Sequence, residues 1–242
     1  MLRDKRLQRR KTRFITLLII VSVLLAFLLH RQITQRVFNP MIKGAYYRVD
    51  TTDKVVTLTF DVVWEPGETA RILDILDRYH VQATFFLTGT WLRYNPDLAR
   101  EILIRGHEIG HHGFAHLRLT ELDDEALAKE FALMEEASGE ELDVTTNLFR
   151  PPYGDLDQRV YDYATERGYT TVLWSINPHD WLEPGVDKII SRVAKQVHNG
   201  AIILLHSNAS QSVDALPLII QNLKMNEYEI VPFSVLVQKG RD

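Results

Sequence analysis

The chain has 242 residues, 45% of them hydrophobic, which suits one domain with a large buried core plus one appendage. It contains no cysteine, so disulfides, thiolate metal sites and cysteine nucleophiles are excluded, a pattern compatible with export to an oxidising exterior. Net charge is −4, but seven Lys and Arg against one Asp fall in residues 1–13, leaving ten surplus negative charges on the rest, a poor match for nucleic acid.

An uncharged run from Phe14 to Leu29 follows this basic tail. Sixteen helical residues span roughly 24 Å, slightly less than the ~30 Å hydrocarbon core, and local thinning or snorkelling of Arg13 closes the gap. The stretch Ala26-Phe27-Leu28-Leu29-His30-Arg31 offers no small-residue cleavage pattern. Residues 14–30 therefore read as an uncleaved transmembrane signal anchor in a cell membrane. The positive-inside bias leaves the tail cytoplasmic and everything after His30 outside. Residues 31–51 read as a linker, with Asn39-Pro40 and Gly44 as breakers, and residues 52–242 as the globular domain.

Within that domain, Val55 to Phe60 is a β-branched run that predicts a strand ending at Asp61. After Pro66-Gly67, the spacing of Ala70, Ile72, Leu73, Ile75, Leu76 and Tyr79 predicts a helix. Ala83 to Leu87 is the next strand, and a helix runs from Pro96 to Arg105, stopped by Gly106. An acidic helix is expected from Asp123 to Ser138, with Thr120 or Asp123 as cap, then a short strand at Asn147 to Phe149. A helix from Asp157 to Arg167 and a strand from Thr170 to Trp174 come next. The remainder reads as a helix from Val186 to Val197, a strand from Ala201 to Leu205, a helix from Val213 to Lys224 and a strand from Tyr228 to Val231. This alternation predicts an α/β fold with a parallel sheet. About seven strands suit a distorted (β/α) barrel, with a doubly wound open sheet as the alternative. No Gly-x-Gly-x-x-Gly follows any strand, so dinucleotide binding has no support.

Four of the nine histidines fall between Gly106 and His116. The four-residue spacing of His112 and His116 aims two imidazoles at one point, as a divalent metal requires. His111 has no partner at that spacing, and His107 lies in a Gly-flanked turn. Asp61, the His112/His116 pair, Arg150, Asp180 and His206 each fall at or just beyond the C-terminal end of an expected strand, the rim where parallel barrels assemble active sites. Their chemistry suits metal-assisted hydrolysis of a carbonyl: Asp61 as base, Arg150 keeping it ionised, and His206 as acid with Asp180 as its charged partner.

Thr59-Phe60-Asp61, Gly106-His107-Glu108-Ile109-Gly110 with His112 and His116, Arg150-Pro151-Pro152-Tyr153-Gly154, Asp180-Trp181 and Leu204-Leu205-His206 resemble, in order, the five motifs of the polysaccharide deacetylases. This is carbohydrate esterase family 4, the NodB homology domain, and the likeness covers about residues 52–238. The short anchored form most resembles the sporulation-associated deacetylases of endospore-forming bacteria. The resemblance implies removal of N-acetyl groups from an amino sugar of a cell-wall glycan such as peptidoglycan. It implies Asp61 as base, His112 and His116 as metal ligands, Arg150 steadying the base, and His206 as acid paired with Asp180. Tyr153 would contribute a backbone N–H to the oxyanion, and Trp181 and Leu204 apolar walls around the acetyl group. The ion expected is zinc, with cobalt, nickel or manganese also compatible.

One departure stands out. Two adjacent aspartates usually follow Thr-Phe in this family, the second being the third metal ligand, and here that place is Val62. Three outcomes are open: Asp61 enters the coordination shell; Glu65, His111 or His179 substitutes; or the domain is catalytically impaired and binds glycan.

Overall fold

The computed structural model describes residue 22, residues 41–142 and residues 146–241. The expected basic tail and, residue 22 apart, the expected anchor lie outside these residues. Among the described residues no helix is long and apolar enough to cross a membrane.

Seven strands form one sheet: β1 (Val55–Val62), β2 (Thr84–Leu87), β3 (Glu108–His111), β4 (Leu148–Phe149), β5 (Thr170–Thr171), β6 (Ile202–His206) and β7 (Glu229–Ile230). The order is β5-β4-β3-β2-β1-β6, β7 pairs with the start of β1, and every pairing is parallel. The helices are α1 (Thr69–Arg78), α2 (Gly89–Tyr94), α3 (Pro96–Ile104), α4 (Asp124–Leu142), α5 (Gln158–Glu166), α6 (Val186–Gln196), α7 (Ser210–Met225) and α8 (Phe233–Lys239). Isolated bridges of Ile176 to Ile203, Tyr46 to Val172 and Arg48 to Ala201 curl the β5 side toward β6. A curled parallel sheet closed only by such bridges fits a distorted barrel, in agreement with the expected fold class.

β1 is the axis of the fold. All eight of its residues are buried, as a central parallel strand covered on both faces requires. Its register sets Asp61 beside Phe86 of β2 and His206 of β6, so the ends of these strands share one level. β3 ends at His111 and β4 at Phe149, which delivers His112 and Arg150 to the same rim.

Two expectations need correction, and two short helices were not anticipated. The strand expected from Thr170 to Trp174 shrinks to two residues, because the carbonyls of Val172 and Leu173 accept hydrogen bonds from the Arg150 side chain. The helices α2 and α8 are too short to give a periodic signal; the Thr88 hydroxyl caps α2 by accepting from the Trp91 N–H. Part of the expected linker belongs to the body. Tyr46 N–H donates to Thr171, Val49 N–H donates to Gly200, and Ile42 and Val49 are buried.

Gly200 makes that docking possible. It has φ +72°, and a Cβ there would lie 1.7 Å from the Val49 carbonyl oxygen. Gly200→Ala is expected to cost about 2 kcal/mol or more, through both backbone strain and displacement of the 42–50 segment. Urea denaturation checks this; an unchanged midpoint would mean that the segment is not part of the cooperative unit.

Candidate active site

The site is built around one buried ion pair. Arg150 is fully buried, as is almost all of Asp61, and Arg150 Nη1 donates to Asp61 Oδ1 at 2.8 Å. The remaining guanidinium edges are satisfied: Nε donates to the Val172 carbonyl at 3.1 Å and Nη2 to the Leu173 carbonyl at 2.9 Å. The guanidinium centre also lies 4.1 Å from the Phe86 ring centroid. Burial by itself would raise the Asp61 pKa, but the charges around it, among them Arg150 with its hydrogen bond, outweigh it and hold the carboxyl below its ordinary value. Burial lowers the pKa of Arg150 in turn, from a starting point high enough for the charge to persist at neutral pH.

His112 stands on the other side of Asp61, with Nε2 3.4 Å from Asp61 Oδ2. Its Nδ1 lies 2.8 Å from the Arg150 carbonyl, which can only accept, so Nδ1 carries the proton and Nε2 presents a lone pair. His116 follows on a loop with φ +56°, its ring centroid 4.9 Å from that of His112 and its Nδ1 buried without a partner. Burial keeps both imidazoles neutral; His112 is lowered, and His116 is pushed down to about 3 by burial and by His112.

The loop bearing His116 is held by a residue that sequence reasoning missed. Glu130 of α4 is buried, and its Oε2 accepts from the N–H groups of Phe114 and Ala115, each at 3.0 Å. An acid on the buried stripe formed by Leu127, Phe131 and Met134 was the available signal.

Asp180 and His206 form the second charged pair. Asp180 is fully buried, and its carboxylate accepts from His206 Nδ1 at 2.8 Å, the His206 backbone N–H at 2.7 Å and the Ser212 hydroxyl at 2.5 Å. Burial would lower the His206 pKa, but the hydrogen bond and charge of Asp180, together with Asp61, raise it overall. This pair therefore stabilises the fold fully below the unfolded histidine value, and the contribution fades as pH rises through the elevated folded pKa.

Around these charges lies an aromatic rim. Tyr153 adopts φ +62°, ψ 5° beside Gly154 at φ +66°, which turns the backbone sharply after Pro151-Pro152. Its ring lies 4.4 Å from that of His116 and is half-exposed, as are Trp181 and the neighbouring Leu182. Leu204 is buried, two residues before His206 and so on the same face of β6. Trp64, a further residue not anticipated, is 60% exposed and packs edge-on against His116 with centroids 5.6 Å apart.

Every site residue expected from sequence except the proposed substitute ligands thus converges on one rim. His111 turns away: its Nε2 lies 3.1 Å from Ser138 Oγ and its ring packs against Tyr169 in the core. Val62 is fully buried beside Leu87 and supplies no donor. Among the described residues no group of three His, Asp, Glu or Cys side chains is placed to hold a metal, so neither Glu65 nor His179 completes a shell. The donor chemistry nonetheless suits a divalent ion. Two neutral imidazoles stand beside an ionised carboxylate, and the orphaned, buried His116 Nδ1 lacks the partner such a nitrogen ordinarily has. The shortfall is one ligand.

The Asp180–His206 coupling has a direct test. Asp180→Asn removes the charge that raises the His206 pKa, so the imidazole should titrate at lower pH than in the wild type. NMR titration of the ring protons reads this, and an unmoved pKa would mean that Asp180 does not tune His206.

The sequence between residues 48 and 172 matches the family model for polysaccharide deacetylase. A peptidoglycan-N-acetylglucosamine deacetylase of Bacillus cereus is 38% identical over 201 residues, covering 79% of this chain and 92% of that protein. The peptidoglycan-N-acetylmuramic acid deacetylase PdaA of Bacillus subtilis is 34% identical over 188 residues, covering 76% and 72%. Among solved structures, a carbohydrate esterase family 4 pseudoenzyme from Bacillus anthracis superposes with TM-score 0.78 at 29% identity, covering 82% of this chain and 70% of that one. A mutant of that pseudoenzyme is described as having restored enzymatic activity. With motifs, fold and rim geometry all in agreement, this chain belongs to the polysaccharide deacetylase family, the carbohydrate esterase family 4 hydrolases.

Proposed function

We propose that the chain hydrolyses N-acetyl groups on the amino sugars of a cell-wall polysaccharide, with peptidoglycan as the substrate. The observation that carries this reading is the pairing of two differently tuned groups across one rim: Asp61 held ionised by Arg150, and His206 with its pKa raised by Asp180. Enzymes that split an amide need such a base and such an acid together. In this reading Asp61 takes a proton from the attacking water, while Arg150 keeps that carboxylate charged. His206 delivers a proton to the departing sugar nitrogen. The Tyr153 backbone N–H stabilises the developing oxyanion, and Trp181 and Leu204 exclude water around the acetyl methyl. A divalent ion, zinc or another of the first transition series, would be held by His112 and His116, with Asp61 as third ligand only if its carboxylate moves into the shell, and when bound would polarise the carbonyl and the water. Residues 14–30 would anchor the domain to the membrane, with the site on the outer side near the wall.

A second reading is favoured by Val62: a catalytically impaired domain that binds glycan. If Asp61 both ligates and acts as base, the two roles compete for one carboxylate, and affinity for the ion falls. The kinship with a pseudoenzyme fits this reading.

Metal content and acetate release, measured together on the purified chain with peptidoglycan fragments and chitooligosaccharides, separate the two. The primary reading predicts bound metal and acetate release that a chelator abolishes. Val62→Asp should tighten metal at least ~10-fold by supplying the missing ligand, and it should destabilise the metal-free chain by burying a carboxylate. No metal and no release in the wild type, with both gained in Val62→Asp, would establish the glycan-binding reading instead.

A further inference from the structure

Arg118 lies two residues after His116, on the chain that leaves the loop held by Glu130. Its guanidinium centre sits 4.6 Å from the Tyr153 ring centroid, and that ring lies 4.4 Å from His116, so the cation belongs to the same aromatic rim. Its side chain is 42% exposed, and its nearest carboxylate oxygen, on Asp155, is 4.0 Å away. Asp155 is engaged elsewhere, its other oxygen accepting from the Thr120 hydroxyl at 2.7 Å and the Thr120 N–H at 3.3 Å. By contrast Arg48, Arg93, Arg100 and Arg159 each reach a carboxylate within 3.1 Å. The Arg118 side chain makes no hydrogen bond among the described residues.

A planar guanidinium resting on a tyrosine ring has lost much of its rotational freedom, and its N–H fork matches a carboxylate in a two-point contact. The body of the chain repels anions, so a loosely paired cation beside the reacting groups makes a local exception. We propose that Arg118, stacked on Tyr153, receives a carboxylate appended at C3 of the amino sugar. The favoured unit is then an acidic N-acetyl amino sugar, such as one bearing a lactyl ether, rather than neutral N-acetylglucosamine. C3 adjoins the carbon that bears the acetamido group, so a short ether arm carries a carboxylate to the rim while the amide faces Asp61 and His206. This inference rests on the glycan reading above and names its substrate class.

The test is calorimetric binding to the purified chain, which requires no turnover. The probes are chitotetraose, a peptide-free glycan fragment with free lactyl carboxylates, its methyl ester, and a fragment whose lactyl group carries a stem peptide. The wild type should bind the free acid about 5-fold more tightly than the ester, as expected for a half-exposed charge-assisted contact. Arg118→Gln should erase that margin without changing chitotetraose affinity, and Arg118→Lys should keep part of it. Preference for the peptide-bearing fragment over the ester, also lost in Arg118→Gln, supports carboxylate recognition and assigns the source to the peptide. Equal binding of the free acid, its methyl ester and the peptide-bearing fragment by the wild type, or a preference that survives Arg118→Gln, overturns the inference alone. A wild type that binds no glycan, chitotetraose included, overturns the glycan reading and this inference with it.

Discussion

The pair of Asp61 and Arg150 is the constraint on which the rest of the rim depends. Two charges removed from water are tolerated only when each is compensated, and here the guanidinium meets a carboxylate, two backbone carbonyls and an aromatic face. This arrangement shapes the backbone around it. The Val172 and Leu173 carbonyls serve Arg150 instead of a strand ladder, so β5 stops after two residues and the barrel remains open on that side, bridged only locally. Breaking such a pair leaves an uncompensated buried charge, which costs roughly 3–5 kcal/mol. The same contact that holds the fold at this point keeps the base ionised.

Outward from that pair the site is layered. His112 is oriented by the Arg150 carbonyl, so one residue fixes both the carboxylate and the first imidazole. His116 is placed by Glu130 through the loop backbone, and Asp180 with Ser212 fixes His206. Each chemically active side chain is thus steered by a partner buried beneath it, which is the preorganisation that a catalytic rim needs. Val62 is the one place where this logic is interrupted. An apolar residue packs well at the end of β1, but among the described residues it leaves Asp61 as the one acidic donor beside the two histidines.

Much of this was legible in the sequence because it was local. β-branched runs, Pro96 and Gly106 at the ends of α3, and polar residues just past buried strands located the elements and the rim. The dependence of β5 on Arg150 was not legible, since it arises between residues distant in sequence. The docked segment 42–50 escaped notice because its composition resembles a linker, and its contacts depend on the positive φ of Gly200. Glu130 and Trp64 were missed for a related reason: each acts on His116 across a loop, at no fixed spacing.

The most direct measurement is a 13C NMR titration of the Asp61 carboxyl in the wild type and in Arg150→Met. The account predicts a wild-type pKa below the ordinary 3.8 and a marked rise in the variant, where burial acts with less opposition. A wild-type carboxyl that titrates at or above 3.8, or one indifferent to the loss of Arg150, would contradict the claim that this buried pair sets the chemistry of the site.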